Sequence, residues 1–169
     1  CVVPEILDEP MFLWRQARHP LLEQKLKSQD KHITPLDLNL DKDNRILVIS
    51  GPNAGGKSVC LKTIGLVQYM LQCGLAVPME IDSKCGVFHD MFIDIGDSQS
   101  LENDLSTYSS HLLNMKELLR QANKRTLFLI DEFGTGTEPQ LGGAIAEAIL
   151  LKMNEKKSFG VVTTHYANL

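Results

Sequence analysis

Residues 51–58, Gly-Pro-Asn-Ala-Gly-Gly-Lys-Ser, fit the spacing G-x-x-x-x-G-K-[ST] without a gap. Residues of these types at this spacing hold a polyphosphate. The glycines let the backbone curl so that several N–H groups converge on an anion. The lysine ammonium reaches the outer phosphates, and the serine hydroxyl offers an oxygen to Mg²⁺. Further on, Leu127-Phe-Leu-Ile-Asp131-Glu132 sets an acidic pair directly after four apolar residues. At a strand exit Asp131 is placed to hold Mg²⁺, directly or through water, and Glu132 to orient and deprotonate an attacking water. Thr163-Thr-His165-Tyr166 ends the last apolar stretch. A histidine at the carboxyl edge of a doubly wound sheet faces the ligand crevice, where it can meet a γ-phosphate or the attacking water.

The elements that must carry these groups are legible around them. Residues 45–50 hold four apolar residues in a row, as a buried strand does. After the loop, Val59, Ile64, Val67 and Leu71 recur at helical spacing over residues 57–73, with Gly74 and Pro78 as stop signals. Strand, glycine loop, helix is the setting a phosphate loop requires, and the positive end of the helix adds to the anion site. Residues 126–131 and 159–164 read as apolar strands, and 87–94 alternates like one. Residues 106–122 carry Leu112, Met115 and Leu119 at helical spacing. Thr137-Glu-Pro-Gln140 fits a capping box with proline in the first turn, opening a helix with Leu141, Ile145, Ala148 and Ile149 on one side.

Nearer the start, Phe12-Leu-Trp14 reads as a short strand, while Pro4, Pro10 and Pro20 break any long helix. Residues 33–40 read as a half-exposed strand, 41–44 as a hairpin turn and 95–104 as a polar loop. Strands alternating with helices define an α/β fold with a largely parallel sheet flanked by helices and an antiparallel N-terminal portion.

The length of 169 residues suits one domain, 1–169, and the 43% apolar and 22% charged fractions are ordinary for a soluble globular chain. A net charge of −4 provides no global positive field for nucleic acid or anionic lipid. Cys1, Cys60, Cys73 and Cys85 form no C-x-x-C pair and read as small buried apolar side chains of a reducing compartment. Gln68 and Gln72 interrupt the stretch that comes nearest to a membrane span. With no signal peptide, the expected location is cytoplasmic, with no membrane partner. A start at Cys1 and an end just after a His-Tyr read as one domain excised from a longer protein. His89, Asp90, Asp94 and His111 fit no zinc spacing, and solvated or packed side chains are the favoured reading.

Together these residues resemble the MutS family ATPase domain. Gly51 to Ser58 is similar to that family's G-P-N-x-G-G-K-S loop, Asp131-Glu-Phe-Gly-Thr-Gly-Thr137 to its D-E-x-G-x-G-T, and Thr164-His-Tyr166 to its T-H-Y. Ile95-Gly96 followed by Ser106-Thr107-Tyr108 resembles its I-G…S-T-F region, and Arg18-His-Pro20 its R-H-P. Val59 in place of threonine, Ser-Thr-Tyr-Ser-Ser-His in place of S-T-F-M-V-E, and Glu138-Pro139 all look more like the second MutS branch, MutS-two. That branch is associated with recombination control and ribosome rescue.

The resemblance implies a P-loop NTPase of ABC type that binds ATP with Mg²⁺, hydrolyses ATP and works as a homodimer. It implies ATP-binding residues Gly51, Pro52, Asn53, Ala54, Gly55, Gly56, Lys57, Ser58 and Val59, metal ligands Ser58 and Asp131, and catalytic Glu132 and His165. Ile33 falls where the family places an adenine-stacking side chain, and Gln99 in a loop that senses the nucleotide. Consecutive hydroxyls before a helical run suit either a cap or a helix end facing a phosphate. The resemblance implies the latter, with Ser106 and Thr107 completing the partner subunit's site. The full-length protein would engage DNA, branched or mismatched, or the ribosome.

Four rival readings stand beside this one. Within the family, the alternative is a nucleotide-gated DNA-binding clamp of the mismatch-repair MutS branch. A non-enzymatic nucleotide-gated clamp would bind ATP with negligible hydrolysis, and would not require Glu132. A transporter ATPase would carry G-x-x-G-x-G-K and Leu-Ser-Gly-Gly-Gln, where this chain has Ala54-Gly-Gly-Lys57 and Leu105-Ser-Thr-Tyr108. A small-molecule kinase would need lid arginines, and Arg15, Arg18 and Arg45 all precede the loop.

Overall fold

The computed structural model describes residues 1–51, 56–96, 104–135 and 137–165, with side chains of 104–110 outside the description. Two four-stranded sheets share the chain. The first has the order β1-β5-β2-β3, built from β1 (Glu5–Leu7), β5 (Lys84–Gly86), β2 (Phe12–Ala17) and β3 (Leu36–Leu40). β1 runs parallel to β5, and the other pairings are antiparallel. The second has the order β4-β8-β7-β6, from β4 (Ile46–Ser50), β8 (Phe159–Thr164), β7 (Thr126–Ile130) and β6 (Asp90–Asp94), and is parallel throughout. A parallel sheet with an antiparallel N-terminal portion is the expected architecture.

Both faces of the parallel sheet are covered, which is why its strands read as continuous apolar runs. α2 (Lys57–Gln72) lies on one face; α3 (Asp104–Gln121) and α4 (Pro139–Glu155) lie on the other. Alternation along β7 divides the side chains. Leu127 and Leu129 join Leu61, Ile64, Val67 and the first sheet's Phe12 and Trp14 in one core. Phe128 and Ile130 join Met115, Leu118, Ala146, Ile149 and Met153 in the other.

Several local expectations are corrected. Pro20 does not break a helix but opens α1 (Pro20–Lys27), where its missing N–H is no loss. His19 caps that helix, its Nδ1 accepting the Leu22 N–H at 3.3 Å, and Arg18 pairs with Glu23 at 3.2 Å. Residues 41–44 form a turn in which Asp41 Oδ1 accepts the N–H groups of Asp43 and Asn44, each at 2.9 Å, but it joins strands of different sheets and so is no hairpin. The alternating stretch 87–94 narrows to β6, with the three-residue β5 unforeseen before it. Glu138, not Thr137, is the N-cap of α4, because Pro139 takes the first helical position, and the Glu138 side chain makes no capping bond. α4 buries Gly142, Ala146, Ile149 and Met153, whereas Leu141 and Ala148 are exposed.

Gln68, read as a polar interruption, is wholly buried. Its Nε2 donates to the Gly86 carbonyl and to Gln72 Oε1, both at 2.9 Å, and Gln72 Oε1 also accepts the Phe88 N–H. The pair fastens α2 to the strand β5. Among the described residues no helix is long and apolar enough to cross a membrane. All four cysteines are free; Cys85 is buried and Cys60 half-buried, but Cys1 and Cys73 are exposed, against the expectation of burial.

Gly160 lies in β8 beneath the ring of Phe128, and a β-carbon there would overlap that ring. Phe128 is itself fully buried and cannot withdraw. Gly160→Ala is therefore expected to lower the unfolding free energy by about 1–3 kcal/mol through overpacking, measured by urea denaturation.

Candidate functional site

The parallel sheet brings the chemistry-bearing residues to one edge. Register pairs Ser50 of β4 with Thr164 of β8, and Val162 of β8 with Ile130 of β7. The carboxyl ends of β4, β8 and β7 therefore lie side by side, and β8 separates the loop-bearing strand from the acidic one. A ligand crevice belongs at such an edge.

α2 starts at Lys57 with Gly56 as N-cap at φ 79, a left-handed conformation that favours glycine. Gly56 offers no side-chain cap to the first turn of α2. Lys57 is buried, and its Nζ donates to the Gly51 carbonyl. Ser58 follows in the first turn, half-buried. Pro52, Asn53, Ala54 and Gly55 lie outside the described residues.

Asp131 is 9% exposed at the exit of β7. Its N–H donates to the Asp94 carbonyl at 2.9 Å, and its carboxylate accepts the Thr163 hydroxyl. Glu132 has φ 51, uncommon for a side-chain-bearing residue. Its N–H donates to Thr163 Oγ1 at 2.8 Å, and its carbonyl accepts the hydroxyl and N–H of Thr135 at 2.8 and 3.1 Å. Glu132 is thus held through the peptide groups on both its sides. His165 Nε2 stands 3.9 Å from Glu132 Oε1, and both side chains are partly open to solvent. The base and the histidine chosen from sequence are neighbours.

Sequence reading missed one polar pair. His111 Nδ1 lies 2.7 Å from Asp94 Oδ2, tying α3 to the end of β6 beside Asp131. Asp94, His111, Asp131, Glu132 and Thr135 line one cleft. Asp94 and His111 had been read as solvated or packed; they are paired, while His89 and Asp90 border a different hollow. Only the short polar side chain at a strand exit hinted at this, because the partner lies a loop and two helical turns away in sequence. Ser106 and Thr107 fall within α3, their side chains outside the described residues, as are Gln99 and Tyr166.

Ile33 lies outside β3 and lines a cleft of about 500 Å³ with His19, Leu22, Gly56, Val59 and Cys60. That size falls in the range of small-molecule sites. Val59 is 42% exposed rather than part of the buried stripe, which runs through Leu61, Ile64, Val67 and Leu71. Ile33, expected against the adenine, and Val59, expected in the ATP site, thus share one hollow at the head of α2, and His19 and Leu22 join them unforeseen.

The fold and site define the class: an α/β domain with a glycine-and-lysine helix start, an acidic strand end and a histidine gathered at the carboxyl edge of a parallel sheet. The MutS domain V family matches residues 47–169, and the chain belongs to it. It is 45% identical over 168 residues to the Endonuclease MutS2 of Enterococcus faecalis, covering 99% of this chain and 21% of that protein. Identity is 43% over 169 residues to the Endonuclease MutS2 of Fusobacterium nucleatum, covering all of this chain and 21% of that one. To the Endonuclease MutS2 of Ligilactobacillus salivarius it is 47% over 155 residues, 92% of this chain and 19% of that one. These relatives support the MutS-two type that the motifs indicated. The chain spans about a fifth of the length of the curated relatives it matches.

Burial pushes the Cys60 thiol up to about 11 and the Cys85 thiol up to about 12. At pH 8 a thiol with pKa near 11 is only ~0.1% thiolate, against roughly a quarter for an ordinary cysteine. Iodoacetamide at pH 8 is expected to label Cys60 and Cys85 at least ~10²-fold more slowly than Cys1 and Cys73, as read by peptide mass spectrometry.

Proposed function

We propose that this domain binds ATP with Mg²⁺ and hydrolyses it, as the P-loop, ABC-type motor of a MutS-two-like protein. The observation that carries this reading is the convergence at one sheet edge of Lys57 at the head of α2, the Asp131–Glu132 pair, and His165 3.9 Å from Glu132. Residues 51–58 cradle the phosphates through backbone N–H groups, and Lys57 turns from the Gly51 carbonyl to the β- and γ-phosphates. The cleft containing Ile33 and Val59 takes the adenine against aliphatic surfaces. Glu132 receives the proton of the attacking water, and His165 orients that water or the γ-phosphate.

The donor set fits Mg²⁺, which takes oxygen ligands and retains waters. Asp131 is a buried carboxylate oriented by Thr163, and Ser58 is a hydroxyl in the first turn of α2. When bound, the ion neutralises charge on the phosphate oxygens. Glu132 distinguishes this reading from a passive nucleotide clamp, which needs no base. Two copies form a homodimer in which Ser106 and Thr107 of one subunit face the nucleotide of the other. Engagement of DNA or the ribosome belongs to the full-length protein, and nucleotide state would reach it through that dimer.

Two tests follow. Lys57→Ala is expected to abolish ATP binding by calorimetry while circular dichroism stays unchanged. Glu132→Gln is expected to retain ATP binding but lose at least ~10²-fold in turnover; parental turnover would move the base elsewhere.

Composite sites are tested by mixing Ser106→Ala with Lys57→Ala in a dimer-forming protein. One site of the heterodimer then carries both lesions and the other carries neither, so mixing two nearly inactive proteins restores hydrolysis. No recovery, with heterodimers shown to form, means that each site is built within one chain.

A further inference from the structure

We propose that Thr163 is a positioning residue of the hydrolytic site, its single hydroxyl fixing the metal-binding carboxylate and the base at once. The proposal rests on the ATPase reading above. Thr163 stands before the Thr164-His-Tyr166 motif, and none of the resemblance's motifs includes it. Its side chain is fully buried at the end of β8.

A threonine hydroxyl has one proton and two lone pairs. Here the proton goes to Asp131 Oδ1, and a lone pair accepts the Glu132 N–H at 2.8 Å. The Thr163 carbonyl also accepts the Phe133 N–H at 2.8 Å. One residue therefore holds three successive residues at the exit of β7. The strand itself does not demand a hydroxyl, since Val161 and Val162 fill the preceding positions. A hydroxyl taken out of water is unfavourable unless it is bonded, and this one is bonded in both directions to groups with proposed roles.

The two bonds act on different problems. Donation to Oδ1 fixes the orientation of the Asp131 carboxylate, the service that outer hydrogen bonds perform for metal ligands. Acceptance from the Glu132 N–H secures the amino side of a peptide whose φ of 51 would otherwise relax. Thr135 secures the carbonyl side. Loss of the hydroxyl releases both the carboxylate and the base, although it touches neither nucleotide nor water.

The test compares Thr163→Ser and Thr163→Cys, which both lack the methyl group and differ only in hydroxyl against a weak sulfhydryl donor. Thr163→Val, of parental shape, is the third variant. Hydrolysis of ATP by a dimer-forming protein gives kcat and KM. Calorimetry of ADP with and without Mg²⁺ gives the gain in affinity that the ion brings. For the Cys and Val variants, kcat and the Mg²⁺ gain are expected to fall roughly 10–100-fold, with Mg²⁺-free ADP affinity within about threefold of parent. Thr163→Ser recovers most of that loss.

Equal values for Ser and Cys overturn the proposal, as does a folded Val variant with parental kcat and Mg²⁺ gain. If Val fails to fold, the Ser–Cys pair decides. A parent that binds ATP but gains nothing from Mg²⁺ and does not hydrolyse it overturns this role together with the hydrolytic reading. A parent that binds and hydrolyses ATP, with variants equal to it, overturns this role alone.

Discussion

The chemistry-bearing groups at the carboxyl edge take their positions from a sheet of four parallel strands whose two central strands, β8 and β7, are dry on both faces. Dry faces force continuous apolar side chains, and backbone polar groups inside must pair along the ladder. Polar side chains are therefore expelled to the strand ends, and parallel pairing collects all those ends on one side. The acidic pair after β7 and the histidine after β8 stand close because neither strand has another place to put them. β8, paired on both edges, sets the spacing: it places His165 and Thr163 between the lysine-led helix and the carboxylates.

The site is also asymmetric in its support. On the acidic side, Asp94, Asp131, Glu132 and Thr163 are joined by main-chain and side-chain hydrogen bonds that leave little freedom. On the loop side, α2 is held from behind, by the Gln68–Gln72 pair on Gly86 and Phe88, while its first turn stays uncapped. A helix start whose N-cap is glycine, seated on a fixed helix body, leaves room for an anion to approach the backbone. The cleft beside it draws its walls from α1 and the segment before β3 as well as from α2.

What could be read from residues alone follows the same physics. The strands β7 and β8 were visible because burial on two faces leaves an unbroken apolar run, the half-buried β4 because its apolar residues are likewise consecutive, and the helix after the loop because glycine and lysine spacing marks its start. α1 was missed because Pro20 was weighed as a breaker, although at the first helical position it is harmless. The buried faces of α3 and α4 were misjudged by part of a turn: Met115, Leu118 and Ala122 pack inward, while Leu112 is 39% exposed. In those helices Gly142 and Ala146 mark close packing better than leucines do. At the site, motif residues were legible singly, but Asp94–His111 and Thr163–Asp131 depend on which elements cross, and no local pattern encodes that.

Glu132 carries a further consequence. A side-chain-bearing residue held at φ 51 stores of order 1–3 kcal/mol, and glycine is the one residue that would release it without a steric penalty. The substitution most comfortable for the backbone at this position is thus the one that deletes the carboxylate. On the proposed hydrolytic reading, robustness and chemistry pull this position in opposite directions, so a search for more heat-resistant versions of the domain, scored by folding alone, would drift toward proteins that have lost this carboxylate.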